Sequence, residues 1–290
     1  MTRANVLASV LLAFLANGSF AHGDGWIGSV RKKVKEPAPP APAKEKDDHC
    51  DSDEKPIWSF SDPDFDDEDD DSFSSFGFKL GAMTISSPYW LPITIVGDRY
   101  DATAGFAPGP YADDRSGRID LAPNEGTQSF AARLTTEVGS NLGDTVSLGG
   151  RLQFDTSFRL GLDTEFFTRI EDRPTGQETI DTGDVNLVFR FAQSERAEFY
   201  SGVGMNYLLD NVGGDEFGFN FTYGADFHPV KPVVLSSSFD LGRLGGATLF
   251  RGRATIGAVF HRVELYTGYD VYSVGGAALH SWITGLRFYF

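Results

Sequence analysis

Histidine and serine side chains are the groups in this chain that could act as a base and a nucleophile. After residue 127 the histidines are His228, His261 and His280, and Ser281 directly follows the last of them. Adjacent residues of a strand point to opposite faces, so His280 and Ser281 are poorly placed to act as a pair. We therefore predict that the protein is not an enzyme. Of the three hypotheses on function that the sequence leaves open, a hydrolase acting on membrane lipids is the least favoured.

Arginine and acidic side chains recur at alternate positions through the second half of the chain. Lys231 is the only lysine after residue 127. A planar guanidinium forms bidentate pairs with carboxylates and suits an interior better than an ammonium group does. If the strands that carry these charges close into a barrel, two arrangements are predicted. The charges either neutralise one another and close a narrow lumen, or they line the constriction of a small pore. The predicted lumen charges are Arg151, Arg159, Asp163, Glu165, Arg190, Glu198, Asp226, Asp240, Arg251, Arg253, Glu264, Asp270 and Arg287.

No metal or cofactor site is predicted. The acidic run from Asp62 to Asp71 lacks the ligand spacing and the glycine turn of an EF-hand loop, and no phosphate-binding or dinucleotide-binding motif occurs. The net charge of −16 excludes the basic footprint of a nucleic-acid-binding protein. The acidic block over residues 47–71 could instead dock to a basic partner in the compartment to which the chain is exported.

Alternating apolar and polar residues provide the elements that must position these charges. Phe217, Phe219 and Phe221 lie on one side of the clearest segment, with Gly218 and Asn220 on the other. A period of two indicates a strand with one apolar face. The pattern predicts ten strands, at about 128–138, 145–155, 157–171, 183–193, 196–209, 215–228, 232–242, 247–260, 262–273 and 277–290.

The predicted connections alternate in length. Short turns follow strands two, four, six and eight, whereas longer glycine-rich and aspartate-rich loops are predicted at 172–182, 210–214, 242–246 and 273–277. Short turns on one side and longer loops on the other are typical of outer-membrane β-barrels.

The last strand carries the most informative pattern. Trp282, Leu286, Phe288 and the terminal Phe290 alternate with smaller or polar residues. This strand resembles the terminal strand signal of small bacterial outer-membrane β-barrels of the OmpA/OmpX type. The resemblance implies an all-β, antiparallel up-and-down transmembrane β-barrel of about 10 strands (8–12), preceded by a disordered tail. It also implies recognition of the last strand by the barrel-assembly machinery and contact with outer-membrane lipid.

Alternation alone does not decide whether the apolar face contacts lipid or a dry core. The first hypothesis is therefore an outer-membrane barrel of structural or small-solute pore type. The second is a soluble exported lipocalin-like barrel or β-sandwich that binds a hydrophobic ligand. The near absence of lysine and the many glycines on the polar face favour the first.

Four regions are predicted along the chain. Residues 1–21 have an early arginine, an apolar core and small residues before position 22, which indicates a signal peptide. Residues 22–72, rich in proline and lysine and then in acids, are predicted to be a disordered periplasmic linker. Residues 73–126 are predicted to be irregular and amphipathic and could plug the lumen, and residues 127–290 are predicted to form the barrel in the outer membrane.

Overall fold

The fold is a closed β-barrel of ten antiparallel strands. The computed structural model describes residues 25–37, 87–98, 103–112, 116–122 and 127–290. Each barrel strand pairs with its neighbours in sequence, and the last strand pairs with the first. This confirms the predicted antiparallel barrel of about ten strands. After the short strands β1 (Gly105–Phe106) and β2 (Ile119–Asp120), the barrel strands are β3 (Phe130–Ser140), β4 (Thr145–Thr156), β5 (Leu160–Arg173), β6 (Gly176–Gln193), β7 (Ala197–Leu209), β8 (Glu216–Val230), β9 (Val233–Leu244), β10 (Ala247–Phe260), β11 (Val263–Val274) and β12 (Ala277–Tyr289).

The connections at both ends of the barrel are mostly tight turns. Three of the four predicted longer loops, at 172–182, 242–246 and 273–277, are instead two-residue turns between extended strands. Gly176 and Gly245 have positive φ angles of 129° and 55°. Glycine adopts this backbone conformation without the steric cost that other residues meet, so glycine-rich segments can turn sharply. The predicted asymmetry of loop lengths is therefore wrong.

The two ends of the barrel are distinguished by the chain ends. We call the end that carries Phe130 and Phe290 the terminal rim, and the end with the β3–β4, β5–β6, β7–β8, β9–β10 and β11–β12 turns the opposite rim. An even number of strands places the start and the end of the barrel at the same rim.

The outer face of the barrel is apolar and the inner face is polar. Phe217, Phe219 and Trp282 are each more than half exposed on the outside, whereas Arg287 and Ser281 are buried inside. The hypothesis of a soluble lipocalin-like binder needs the reverse arrangement, with apolar residues enclosing the ligand. An apolar outer face of this extent is the surface that a barrel presents to lipid.

A helix occupies the barrel mouth at the opposite rim. The helix α1 (Gly25–Lys35) buries Trp26, Ile27, Val30 and Val34. The predicted disordered linker over 22–72 is therefore wrong for these residues, because apolar positions three and four residues apart form a helical stripe among the basic ones. The other residues of that linker, except 36 and 37, and the signal peptide predicted over 1–21 lie outside the described residues.

A second helix, α2 (residues 87–96), lies against the outside of the barrel near the terminal rim. The Tyr89 ring centroid is 5.1 Å from that of Phe191, and the Tyr223 hydroxyl donates to the Pro88 carbonyl at 2.7 Å. Trp90 lies on the exposed side of α2. Within the described ranges no helix is long and apolar enough to cross a membrane.

Candidate functional site

Three arginines cross-link the middle of the lumen. Arg251 donates to Asp270 at 2.8 Å and also pairs with Glu165. Arg253 donates to Glu137 at 3.1 Å and lies 3.4 Å from Asp270. These residues come from β3, β5, β10 and β11, so the pairs connect strands on different sides of the barrel. The third arginine, Arg151, pairs with Asp163 and donates to the hydroxyl of Tyr200 at 3.1 Å.

A second set of ion pairs lies nearer the terminal rim. Arg287 donates to Glu264 at 2.8 Å, and the Tyr289 hydroxyl donates to the other oxygen of the same carboxylate. Arg133 donates to Asp226 at 2.9 Å across the lumen. Because Glu264 is fully buried, its charge is stabilised by these two donors rather than by water.

Aromatic rings cover several guanidinium groups. Arg287 lies over the ring of Tyr266 at 4.1 Å, and Arg169 lies over the ring of Tyr272 at 4.1 Å. Such cation–π contacts stabilise a desolvated arginine without a further carboxylate. The rings of Trp26 and Phe167 also lie within 6 Å of the Arg169 guanidinium, and one of its terminal nitrogens has no hydrogen-bond partner within the described residues.

The structure places twelve of the thirteen predicted lumen charges in ion pairs, and we call these residues and their partners the lumen network. Asp240 is the exception. Arg159 pairs with Asp98, which follows α2, and it lies at the terminal rim rather than in the middle of the lumen. Sequence reasoning missed Glu137, Asp155 and Arg118. The alternation on β3 and β4 could have identified the first two, whereas nothing in the sequence places Arg118 inside the barrel.

The lumen network leaves little free volume. Two cavities of about 10 Å³ each lie among its side chains. A cavity of that size holds about one water molecule. The side chains of Arg133, Arg151, Arg253 and Arg287 reach into the first cavity from different strands. Around these two cavities the lumen is filled by side chains.

At the opposite rim, α1 is held by polar contacts with several turns. The buried Glu171 carboxylate accepts the backbone N–H groups of Trp26 and Ile27 at 2.7 and 2.9 Å. A carboxylate at this position satisfies the free donors of the helix N-terminus and complements its dipole. Further along the helix, Arg31 donates to Asp210 at 2.5 Å and pairs with Glu178.

The inner wall around α1 is shaped to receive it. The apolar face of the helix packs on inward-facing side chains that include Ile180, Leu208 and Leu279, in a lumen that is otherwise polar. A Cβ atom at Gly246 would lie 1.9 Å from the Glu36 carbonyl oxygen. Glycine at this turn therefore allows the helix backbone to approach the rim.

We expect acid to loosen α1 through Asp210. The hydrogen bond from Arg31 holds the pKa of Asp210 below its ordinary value, against the opposing effect of burial. A carboxylate with a lowered folded-state pKa stabilises docking above pH about 4 and loses that contribution as the pH falls further. Hydrogen exchange of the α1 amides, corrected for the intrinsic rate, should rise in this range. The Asp210→Asn variant should make this exchange rate less dependent on pH. It should also weaken the docking of α1 by about 1 kcal/mol above pH about 4.

Residues 103–112 and 116–122 occupy the mouth at the terminal rim. Phe106 is fully buried, with the guanidinium of Arg190 4.9 Å from its ring. Arg118 donates to Glu198 at 2.7 Å and to Asp155 at 2.5 Å. Although burial opposes it, these carboxylates hold the pKa of Arg118 well above its ordinary value. This segment corresponds to part of the predicted irregular region over 73–126.

The candidate catalytic pair is not brought together. His280 accepts or donates a 3.2 Å hydrogen bond with the Tyr269 hydroxyl, and Ser281 is buried on the other face of the strand. Among the described residues, no group of three or more histidine, cysteine, aspartate or glutamate side chains could hold a metal ion.

The comparisons with known proteins bear on the fold alone. No protein-family model and no curated protein matches the chain. Similar solved structures include the KdgM porin, with 10% identity and a TM-score of 0.26 over 55% of this chain and 99% of that chain. The outer membrane protease OmpT of Escherichia coli has 9% identity and a TM-score of 0.29 over 56% and 94%. Ail of Yersinia pestis has 12% identity and a TM-score of 0.26 over 56% and 97%. At these identities and TM-scores the likenesses carry no argument about the function of this chain.

Proposed function

We propose that the chain is an outer-membrane β-barrel with a sealed lumen, whose role is structural rather than the passage of solutes. The observation that carries this proposal is that α1 covers the opposite mouth, residues 103–112 and 116–122 occupy the terminal mouth, and the lumen network fills the space between them with cavities of about 10 Å³. A conducting barrel needs a continuous water-filled path, and none of these three layers provides one.

The outer surface supports placement in a membrane. Large apolar side chains are exposed around the barrel, for example Leu148, Leu187 and Phe219. Exposed apolar patches of this extent are rare on soluble monomers. The helix α2 adds Trp90 and Leu91 beside this surface at the terminal rim, and tryptophan is enriched at membrane interfaces.

The last strand supports assembly in the outer membrane. Trp282, Leu286 and Phe290 point outward and are exposed, while Phe288 is partly covered. These side chains are accessible for recognition by the barrel-assembly machinery before the strand pairs with β3. We propose that the terminal rim faces the periplasm, because both ends of such barrels lie on that side.

Fractionation tests the location. We expect the mature protein in the outer-membrane fraction, with a gel mobility that differs between unheated and boiled samples. Recovery in the soluble periplasm without a mobility shift would contradict the membrane placement.

Conductance tests the seal. The purified protein, shown by its unheated gel band to be folded, is inserted into planar lipid bilayers. We expect no discrete conductance steps above those of the protein-free bilayer. Reproducible ohmic steps, whose number grows with the amount of inserted protein, would contradict the sealed lumen and support the hypothesis of a small-solute pore.

A further inference from the structure

Two carboxylates of the lumen have no cationic partner. Asp184 and Asp240 are 7% and 9% exposed, and within the described part of the chain neither forms an ion pair. The other buried carboxylates of the barrel strands each pair with an arginine, except Glu171, which accepts the N-terminal amides of α1. Burying an unpaired carboxylate costs several kcal/mol. The barrel therefore holds two negative charges that its own side chains do not neutralise.

A chain of amides links the two carboxylates. Asn186 donates to Asp184 at 2.8 Å, Asn220 donates to Asn186 at 3.0 Å, and the same Asn220 nitrogen lies 3.5 Å from Asp240. Asn206 lies directly opposite Asp184 in the β6–β7 register. With the exception of Asn186, these residues line a single cavity of about 10 Å³, which is large enough for one ion or one water molecule. Glu165 and Arg251, which form an ion pair with each other, also line this cavity.

Two further oxygens at this cavity lack partners. The side-chain oxygens of Asn206 and Asn220 are buried without a hydrogen bond within the described residues, and these two asparagines are 3% and 0% exposed. The amide nitrogen of Asn206 donates to the Phe219 carbonyl at 3.1 Å, and that of Asn220 donates to Asn186. Rotating either amide would exchange a donor for an acceptor and lose these bonds. The orphaned atoms are therefore acceptors, and a cation would satisfy them.

We propose that Asp184, Asp240, Asn206 and Asn220 form a binding site for a hard divalent cation of the Ca²⁺ class. The donor set consists only of oxygen atoms, which Ca²⁺ prefers over nitrogen or sulfur. Two carboxylates neutralise a divalent charge, and each can bind through one or both oxygens. The ion would join β6, β7, β8 and β9 in the same way as the arginines join other strands of the barrel.

The alternative is that one carboxylate is protonated or that a water molecule fills the cavity. The two cases predict different effects on the stability of the barrel when the aspartates are replaced. With a bound cation, replacing the aspartates with asparagines removes ligands and weakens the folded barrel. Without a cation, the same replacements remove buried charge, or exchange a protonated carboxyl group for a neutral amide, and leave the barrel as stable as before or more stable.

The experiment compares the full chain with the Asp184→Asn/Asp240→Asn double variant. Both are refolded with CaCl₂ or with EDTA, desalted, and assayed for bound calcium by mass spectrometry. The temperature at which the folded gel band converts to the unfolded band is also measured. Asp181→Asn is the matched control, because Asp181 lies on the opposite face of β6. The acidic run over 62–71 is the same in every protein, so only differences in calcium content count.

The proposal expects one more calcium per chain in the wild type and in Asp181→Asn than in the double variant. It also expects a conversion temperature that calcium raises in the first two proteins only. Equal calcium content, or a double variant that is more stable than the wild type in CaCl₂, overturns the proposal. Asn206→Asp provides a second test if the double variant does not fold. This variant adds a carboxylate ligand, so it should fold with CaCl₂ and fail with EDTA, whereas failure in both conditions counts against the site.

Discussion

The Glu264→Gln variant is expected to unfold with a free energy lower by about 3–5 kcal/mol than the wild type. Glu264 is fully buried and neutralises Arg287, from which it accepts a hydrogen bond at 2.8 Å. Glutamine has nearly the same size but no charge, so the guanidinium of Arg287 stays buried without a counter-charge. Guanidinium-induced unfolding in phospholipid vesicles, followed by tryptophan fluorescence, measures the loss.

Two further variants separate the effect of the unpaired charge from the effect of any substitution. In Glu264→Leu/Arg287→Met both charges are replaced by apolar side chains, so most of the stability should return. In Glu36→Gln the same chemical change is made in a pair with Lys33 whose side chains are 47% and 41% exposed, and the loss should stay below about 1 kcal/mol. A loss in Glu264→Gln no larger than that in Glu36→Gln would show that the lumen network does not hold the barrel together.

The barrel could be predicted from the sequence because its signal is local. Alternation within a strand depends only on neighbouring residues, and closure follows once ten such strands must each find a partner. The lumen charges were predictable for the same reason, since residues such as Asp163 and Glu165 share the polar face of one strand. The pairing of each arginine with its carboxylate was not predictable, because partners such as Arg133 and Asp226 are 93 positions apart in the sequence.

The positions of α1 and of Arg118 inside the barrel could not be predicted. The contact that caps α1 joins Trp26 to Glu171, which are 145 positions apart. In the sequence the helix looks like a basic stretch before a proline-rich linker, since its four apolar residues make a core only against the barrel wall. Arg118 likewise lies in an irregular segment, and its burial depends on Glu198 and Asp155 being present at the rim.

The prediction of the turn lengths was wrong for a different reason. Glycine and aspartate are common both in long loops and in tight turns. Composition therefore did not distinguish them, and the backbone angles decide. Once Gly275 and Gly276 adopt positive φ angles of 57° and 87°, two residues are enough to join β11 to β12.

The Ile27→Asp variant is expected to release α1 from the opposite mouth. Ile27 is fully buried between the helix and the barrel wall, and a carboxylate there would enter a cluster of apolar side chains. Its desolvation would cost several kcal/mol, while the burial of each apolar side chain of α1 contributes only about 1.5–3 kcal/mol. Undocking by about 3 kcal/mol corresponds to roughly a 100-fold change in the docked fraction.

Trypsin measures this release, because the helix carries Arg31, Lys32, Lys33 and Lys35. In the folded wild type these sites should be cut slowly, and in Ile27→Asp up to about 100-fold faster, while the barrel stays resistant. Lys32→Asp is the matched control, since it places the same carboxylate on the exposed side of α1. Cleavage of the wild type as fast as of Ile27→Asp would mean that α1 does not close the mouth. If α1 is released and planar bilayers still show no conductance, the seal resides in the lumen network, as the cavities of about 10 Å³ indicate.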